Sequence, residues 1–263
     1  MENKIALVTG GTSGIGLETA RYLRSRGFIV YTFSRHSNSE STTHLVCDVS
    51  DEPSVQKSVQ EIVRKEGRID VLVCNAGFGI SGASEFTDNL DAKQLLDVNL
   101  FGCVNCCKAV IPQMRFQKSG RIICISSVAG TISIPFQSWY SVSKAAVLSY
   151  ASAIRNEVAP FGISVTAILP GDIKTGFTAA RHKQSAGDDI YQGRISRSVA
   201  VMEHDEQTGM SPATAGRFIA DIACRKTVKP QYSIGFKYRF FLLIYRLLPY
   251  RITSYLVGKL YGG

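Results

Sequence analysis

The chain has 263 residues, 45% of them hydrophobic and 19% charged, and a formal net charge of +9. That is enough to bury a sizeable core in one domain, and the composition excludes intrinsic disorder, a collagen-like repeat and a disulfide scaffold. The charge is uneven: no acidic residue follows Asp221, while Arg225, Lys226, Lys229, Lys237, Arg239, Arg246, Arg251 and Lys259 do, so residues 1–221 carry about +1.

The strand-like run of MENKIALVTGG starts within four residues, with no apolar leader before it, so a cytoplasmic protein is expected. KIALVT reads as a strand, followed by a helix to about Arg26, the strands FIVYTFS and HLVCDV, a helix over 53–66 and the strand in RIDVLVCNAG. A helix over about 91–116, the strand RIICISS, a helix over 138–160 and the strand ISVTAILPG continue the alternation. Uninterrupted apolar strands separated by helices predict a parallel sheet covered on both faces, because parallel neighbours need a crossover. The expected fold is α/β, a doubly wound parallel sheet. Beyond Gly171 the alternation weakens into a polar stretch over 172–210, then SPATAGRFIADIAC opens on a serine cap and QYSIG reads as a short strand. A single catalytic domain is expected over 1–235, with a basic, apolar helical extension over 236–263 as part of it.

Seven cysteines (47, 74, 103, 106, 107, 124 and 224), mostly in apolar runs, read as reduced core thiols. Cys103, Cys106 and Cys107 make a CxxCC group, but no second pair completes a zinc set, so no metal is expected.

The first strand runs into Gly10-Gly11-Thr12-Ser13-Gly14-Ile15-Gly16, and a helix follows. Glycines there let the backbone approach a pyrophosphate while the helix N-terminus directs free N–H groups and positive dipole at it, the Rossmann-type arrangement. Further on stand Asn75-Ala76-Gly77 after the fourth strand, Tyr140-Ser141-Val142-Ser143-Lys144, Ser127 thirteen residues before the tyrosine, and Pro170-Gly171 with Ile173 and Thr175. In this order the TGxxxGxG, NAG, YxxxK and PGxIxT segments resemble the short-chain dehydrogenase/reductase superfamily across residues 4–176.

Tyr140 and Lys144 are four apart on a predicted helix and share one face. A nearby ammonium favours the phenolate, which predicts a phenol pKa lowered toward neutrality and usable as a general acid or base. The resemblance implies that Tyr140 exchanges a proton with the substrate oxygen, that Lys144 also binds the nicotinamide ribose, and that Asn99 holds a relay water. It selects Ser127 over Ser126 to hydrogen-bond the substrate oxygen. A nicotinamide cofactor is therefore expected on Gly10, Thr12, Ser13, Gly14, Ile15, Gly16, Asp48, Val49, Asn75, Ala76, Gly77, Tyr140, Lys144, Pro170, Gly171, Ile173 and Thr175. The second strand ends Ser34-Arg35, with no acid until Glu40. Arginine suits a 2′-phosphate and a carboxylate would repel it, so Ser34 and Arg35 predict NADP(H).

YRFFLLIYRLLP in the tail is too short to span a bilayer and is broken by Pro249. Two short basic amphipathic helices are expected there, serving as a lid over the substrate mouth, a subunit interface, or a contact with an anionic membrane surface. Nucleic acid is a poor partner for so apolar a tail. KPQYSIG and RLLPYR resemble the branch that includes 17β-hydroxysteroid dehydrogenases and acyl-dihydroxyacetone-phosphate reductases. That resemblance implies carbonyl reduction or alcohol oxidation on a bulky apolar substrate, a hydroxysteroid or ketosteroid first and a lipid ketone second, by a homodimer or homotetramer. The competing expectation outside enzymes is an NADP(H)-binding sensor or scaffold.

Overall fold

The computed structural model describes residues 4–36 and 43–262. In chain order the elements are β1 (Ile5–Thr9), α1 (Gly14–Ser25), β2 (Ile29–Ser34), β3 (His44–Val46), α2 (Glu52–Glu66), β4 (Val71–Cys74) and β5 (Ile80–Ser81). Next come α3 (Asn89–Leu96), α4 (Gly102–Phe116), β6 (Gly120–Ile125), α5 (Ser138–Val158), β7 (Ile163–Leu169), α6 (Phe177–Ala180) and β8 (His182–Lys183). The chain ends with α7 (Arg194–Thr208), α8 (Pro212–Cys224), β9 (Gln231–Ser233), α9 (Phe236–Leu247) and α10 (Tyr250–Tyr261).

Seven strands form one parallel sheet in the order β3-β2-β1-β4-β6-β7-β9. The direction of strand addition reverses between β1 and β4, and in open α/β sheets the crevice at that reversal is where ligands bind. Side-chain alternation separates two cores. Ile5 and Leu7 of β1 face one that includes Val59 of α2, Val110 of α4 and Val147 of α5. Ala6 and Val8 face the other, with Ala20 and Leu23 of α1 and Ile219 of α8. Each fully buried Leu or Ile contributes roughly 1.5–3 kcal/mol, so the central strands have no competing register.

The helix expected over 91–116 begins earlier, at Asn89, where the Asp88 carboxylate accepts from the Leu90 N–H at 2.8 Å. It is also interrupted, by a π-helical turn over 97–101 that carries Asn99. The 89–116 stretch is long and apolar enough to cross a membrane. Its Cys106, Cys107, Val110 and Met114 nevertheless lie in the core beside the sheet, fully shielded. The polar 172–210 stretch holds α6, the short β8, which pairs with β5, and the fifteen-residue α7. Only Ile195, Ser198 and Met202 of α7 are buried, which is too sparse an apolar stripe to read from sequence.

α1 and α8 approach so closely that a β-carbon at Gly216 would lie 2.6 Å from the Glu18 carbonyl carbon and 2.7 Å from the Thr19 nitrogen. Gly216→Ala gains about 0.5–1 kcal/mol of helix propensity, but overpacking against backbone costs roughly 1–3 kcal/mol. The expected result is net destabilisation, read in urea as a lower unfolding midpoint at unchanged slope.

Candidate active site

At the strand reversal, Thr9 braces the start of the glycine loop. Its hydroxyl accepts from the backbone N–H groups of Asn75 and Ala76, both at 2.9 Å. The Asn75 side-chain amide donates back to the carbonyls of Thr9 at 3.0 Å and Gly10 at 3.3 Å. Gly10 and Gly14 take φ of +62° and +52°, the left-handed region that glycine enters without strain. A β-carbon at Gly16 would lie 2.2 Å from the Gly10 carbonyl oxygen. Ser13 caps α1 without a side-chain bond, leaving first-turn N–H groups for an anion. The glycine cradle and the open helix terminus together fit a dinucleotide pyrophosphate.

A cavity of about 360 Å³ opens here. Of the expected site residues its wall contains Gly10, Ser13, Gly14, Ile15, Asn75, Ala76, Gly77, Ser127, Tyr140, Lys144, Pro170, Gly171, Ile173 and Thr175. Thr12, Gly16, Ser34, Arg35, Asp48, Val49 and Asn99 stand outside that wall. Arg35 follows β2 and is exposed, with no hydrogen-bond or ion-pair partner shown among the described residues. Glu40 lies outside the described residues. Asp48 accepts from the backbone and hydroxyl of Ser50 at 2.9 and 2.7 Å, which fixes the turn after β3. Asn105 holds the Val49 carbonyl at 3.0 Å.

Lys144 is buried on α5 and donates to the Ile125 carbonyl at 3.1 Å, its Nζ lying 5.8 Å from the centre of the Tyr140 ring. Burial lowers its pKa to about 8. The Tyr140 phenol is pushed up to about 12 by burial, against a hydrogen bond with Ser127 that pulls it down. The sequence expectation of a lysine-lowered phenol is therefore corrected: desolvation of the hydroxyl dominates, outweighing the Ser127 bond and the Arg181 charge that lower it. At neutral pH Tyr140 is a neutral proton donor, the form that carbonyl reduction needs.

Ser126 and Ser127 have separate roles. Ser126 is buried and donates to the Lys144 carbonyl at 2.7 Å, tying α5 to the end of β6. Ser127 bonds to Tyr140 and accepts from the Ala129 N–H at 3.1 Å. Asn99 is buried, its side chain accepting from the Phe78 N–H and donating to the Phe78 carbonyl and the Ser143 hydroxyl, each at 3.0 Å. A β-carbon at Gly77 would come within 2.8 Å of the Asn99 side-chain oxygen, so only glycine lets the NAG turn reach that helix.

The CxxCC cysteines are free and buried, and two of them have partners that the linear spacing did not show. Cys74 of β4 and Cys124 of β6 are register partners, and with Cys103 and Cys107 of α4 their sulfurs lie within 4.8 Å of one another. Cross-strand pairing thus supplies the second pair that linear spacing lacked. The Cys74 thiol donates to the Cys103 carbonyl at 3.8 Å, and the Cys103 thiol to the Cys124 sulfur at 3.6 Å. Shared thiol bonds and burial push Cys74 and Cys124 upward. The same shared bonds pull Cys103 well below the ordinary thiol range, and all four side chains are buried.

The outer wall comes from residues that no motif marked. The Phe177 ring lies 5.6 Å from that of Tyr140. A β-carbon at Gly171 would fall 2.2 Å from the Tyr238 ring, whose hydroxyl accepts from the Asp172 N–H at 3.0 Å and donates to its carboxylate at 2.5 Å. Glu206 is paired with the buried Arg181 and accepts from Thr178 at 2.6 Å. Asp172 has no ion-pair partner among the described residues, and burial raises its pKa. Tyr261 from α10 closes the cavity and donates to Asp205 at 3.3 Å. The sequence signals for this wall are the polar stretch over 172–210 and the apolar tail, for which the sequence leaves lid, interface and membrane contact all open.

The pattern of the family described as short chain dehydrogenase matches residues 4–186. The chain is 40% identical over 239 residues to a 3-ketodihydrosphingosine reductase of Bacteroides thetaiotaomicron, covering 89% of each protein. A crystal structure of a short-chain dehydrogenase from Streptomyces avermitilis superposes with a TM-score of 0.83 at 28% identity, over 92% of this chain and 91% of that one. The structure of ElxO with NADP bound matches at 0.75 and 28% identity, over 90% and 99% of the two chains. NAD+-bound xylitol dehydrogenase matches at 0.75 and 25%, over 89% and 98%.

Lys144 ties stability to pH. Its folded pKa of about 8 lies below the ordinary 10.5, so the unfolded chain binds more protons between those values and stability rises as pH climbs through that window. Below pH 8 the buried ammonium costs on the order of 3 kcal/mol. Lys144→Met is expected to raise the melting temperature at pH 7, with the gain shrinking from pH 8 toward 10, while turnover is lost. Thermal unfolding across that range checks this.

Proposed function

The chain belongs to the short-chain dehydrogenase family, and we propose that within it the protein is an NADPH-dependent reductase of a long-chain lipid ketone bearing an amino group beside the carbonyl. One observation carries this: the cavity lined by Tyr140 is also lined by Asp172, a carboxylate without an ion pair among the described residues. Asp172 and Glu206 both act electrostatically on the Tyr140 phenol. Arg181 compensates Glu206, whereas Lys237 acts on Asp172 without forming an ion pair. A substrate ammonium would supply the missing partner through a charge-assisted hydrogen bond. A steroid ketone, ranked first from sequence, has no cation to offer there. The name of the Bacteroides relative, whose substrate joins a ketone to an amino alcohol and a long alkyl chain, supports the same class.

Bound NADPH would supply the hydride. Tyr140 gives its phenolic proton to the carbonyl oxygen, while the Ser127 hydroxyl hydrogen-bonds that oxygen and stabilises the charge developing on it. Lys144, with its pKa near 8 and on the same helix face, is placed to restore the proton. Asn99 positions the NAG turn against α5 through Phe78 and Ser143. Gly10, Gly14 and Ile15 would hold the pyrophosphate, and the exposed Arg35 the 2′-phosphate. The four catalytic positions are intact, which disfavours a non-catalytic sensor or scaffold. For assembly, exposed Phe101 and Phe116 at the ends of α4, with Phe161 after α5, leave apolar surface for a second copy.

Two expected outcomes test this reading. Asp172→Asn should lower kcat/KM for 3-ketodihydrosphingosine about tenfold to a hundredfold. It should leave an equally long ketone lacking the amino group unaffected, and equal losses on both would remove Asp172 from amine recognition. Arg35→Asp should raise the KM for NADPH by about tenfold or more and spare that for NADH. An unchanged NADPH KM would overturn the cofactor assignment.

A further inference from the structure

Ten of the nineteen exposed large apolar side chains among the described residues fall between Phe236 and Leu260. No residue of α9 is buried, and Thr253 alone is buried in α10. Phe236, Leu247 and Tyr250 are 83%, 73% and 75% exposed, values that soluble surfaces show singly and not as one continuous face. Lys237, Arg239, Arg246, Arg251 and Lys259 lie among them, and no acidic residue follows Asp221.

We propose that the outer face of α9 and α10 docks on an anionic lipid bilayer and holds the mouth of the active-site cavity against it. Charge complementarity selects this occupant. Pairing the same face of two copies would bring ten cationic side chains together with no carboxylate from either helix pair to offset them. Anionic headgroups meet the bases, and the phenylalanine, leucine and tyrosine side chains enter the acyl boundary, where interfacial helices of this kind reside. Each helix has twelve residues, so neither spans the hydrocarbon core.

The inner sides of the same helices fix their position over the cavity. Tyr238 is bonded to Asp172, Leu242 packs against the core, and Tyr261 lines the cavity. The Tyr261 and Gly262 carbonyls accept from Ser198 and Arg194 of α7. The two helices are thus at once cavity wall and lipid contact, so a substrate with a long alkyl chain can pass from the bilayer into the cavity without crossing water. The docking surface does not depend on which ketone is reduced.

Flotation of the full chain with vesicles is the test. Phosphatidylcholine vesicles containing phosphatidylglycerol should carry the protein up the gradient, and phosphatidylcholine alone should not. Arg246→Glu with Arg251→Glu should weaken binding by about tenfold or more. Phe240→Ser with Leu247→Ser should do so as well, and both pairs should keep wild-type turnover of a short water-soluble ketone. Absence of vesicle binding, or equal binding to both compositions, overturns the proposal. So does a dimer that Phe240→Ser with Leu247→Ser dissociates. Binding without turnover of any ketone would leave the docking surface standing and remove the enzymatic reading, so the two failures are distinguishable.

Discussion

The site depends on the contact between β1 and β4, where the strand order reverses. Two bonds to the Thr9 hydroxyl and two from the Asn75 amide hold the ends of those strands together. That junction fixes the direction of the glycine loop and seats Gly16 against the Gly10 carbonyl. It also places Gly77 within reach of Asn99 and Lys144. The cofactor cradle and the proton-transfer group are built from opposite sides of this junction, so neither can shift without the other.

Around it the protein tolerates costs that a purely structural core would avoid. A lysine is buried with a carbonyl as its hydrogen-bond partner, and a phenol is desolvated beside it. Burial moves the two pKa values in opposite directions, which keeps the tyrosine neutral and brings the lysine near the working pH. Behind the site four buried thiols lie together, and Cys103 and Cys124 act electrostatically on Lys144.

The C-terminal helices complete the cavity from outside. Tyr238 occupies the space a side chain at Gly171 would need, so the PG turn and the tail are matched to each other. Asp172, next in sequence, is half-buried in the same wall, without an ion pair among the described residues. A single tyrosine thus links the position of the tail to the electrostatics of the substrate end.

Much was determined by sequence alone because it rests on local pattern. Apolar runs alternating with helices specified the doubly wound sheet, the glycine spacing located the cradle, and the resemblance of the ordered motifs to a known family pointed to Tyr140, Lys144 and Ser127. Those features depend on the strand period, the helix period and backbone freedom, all of which act over a few residues. Other features arose only when distant segments met. Thr9 became a brace by facing Asn75, Cys74 and Cys124 joined Cys103 and Cys107 through strand register, and α7 acquired its role by packing under α10. The Tyr140 pKa rose where sequence predicted a fall, because desolvation depends on everything that surrounds a group, and linear separation records none of it.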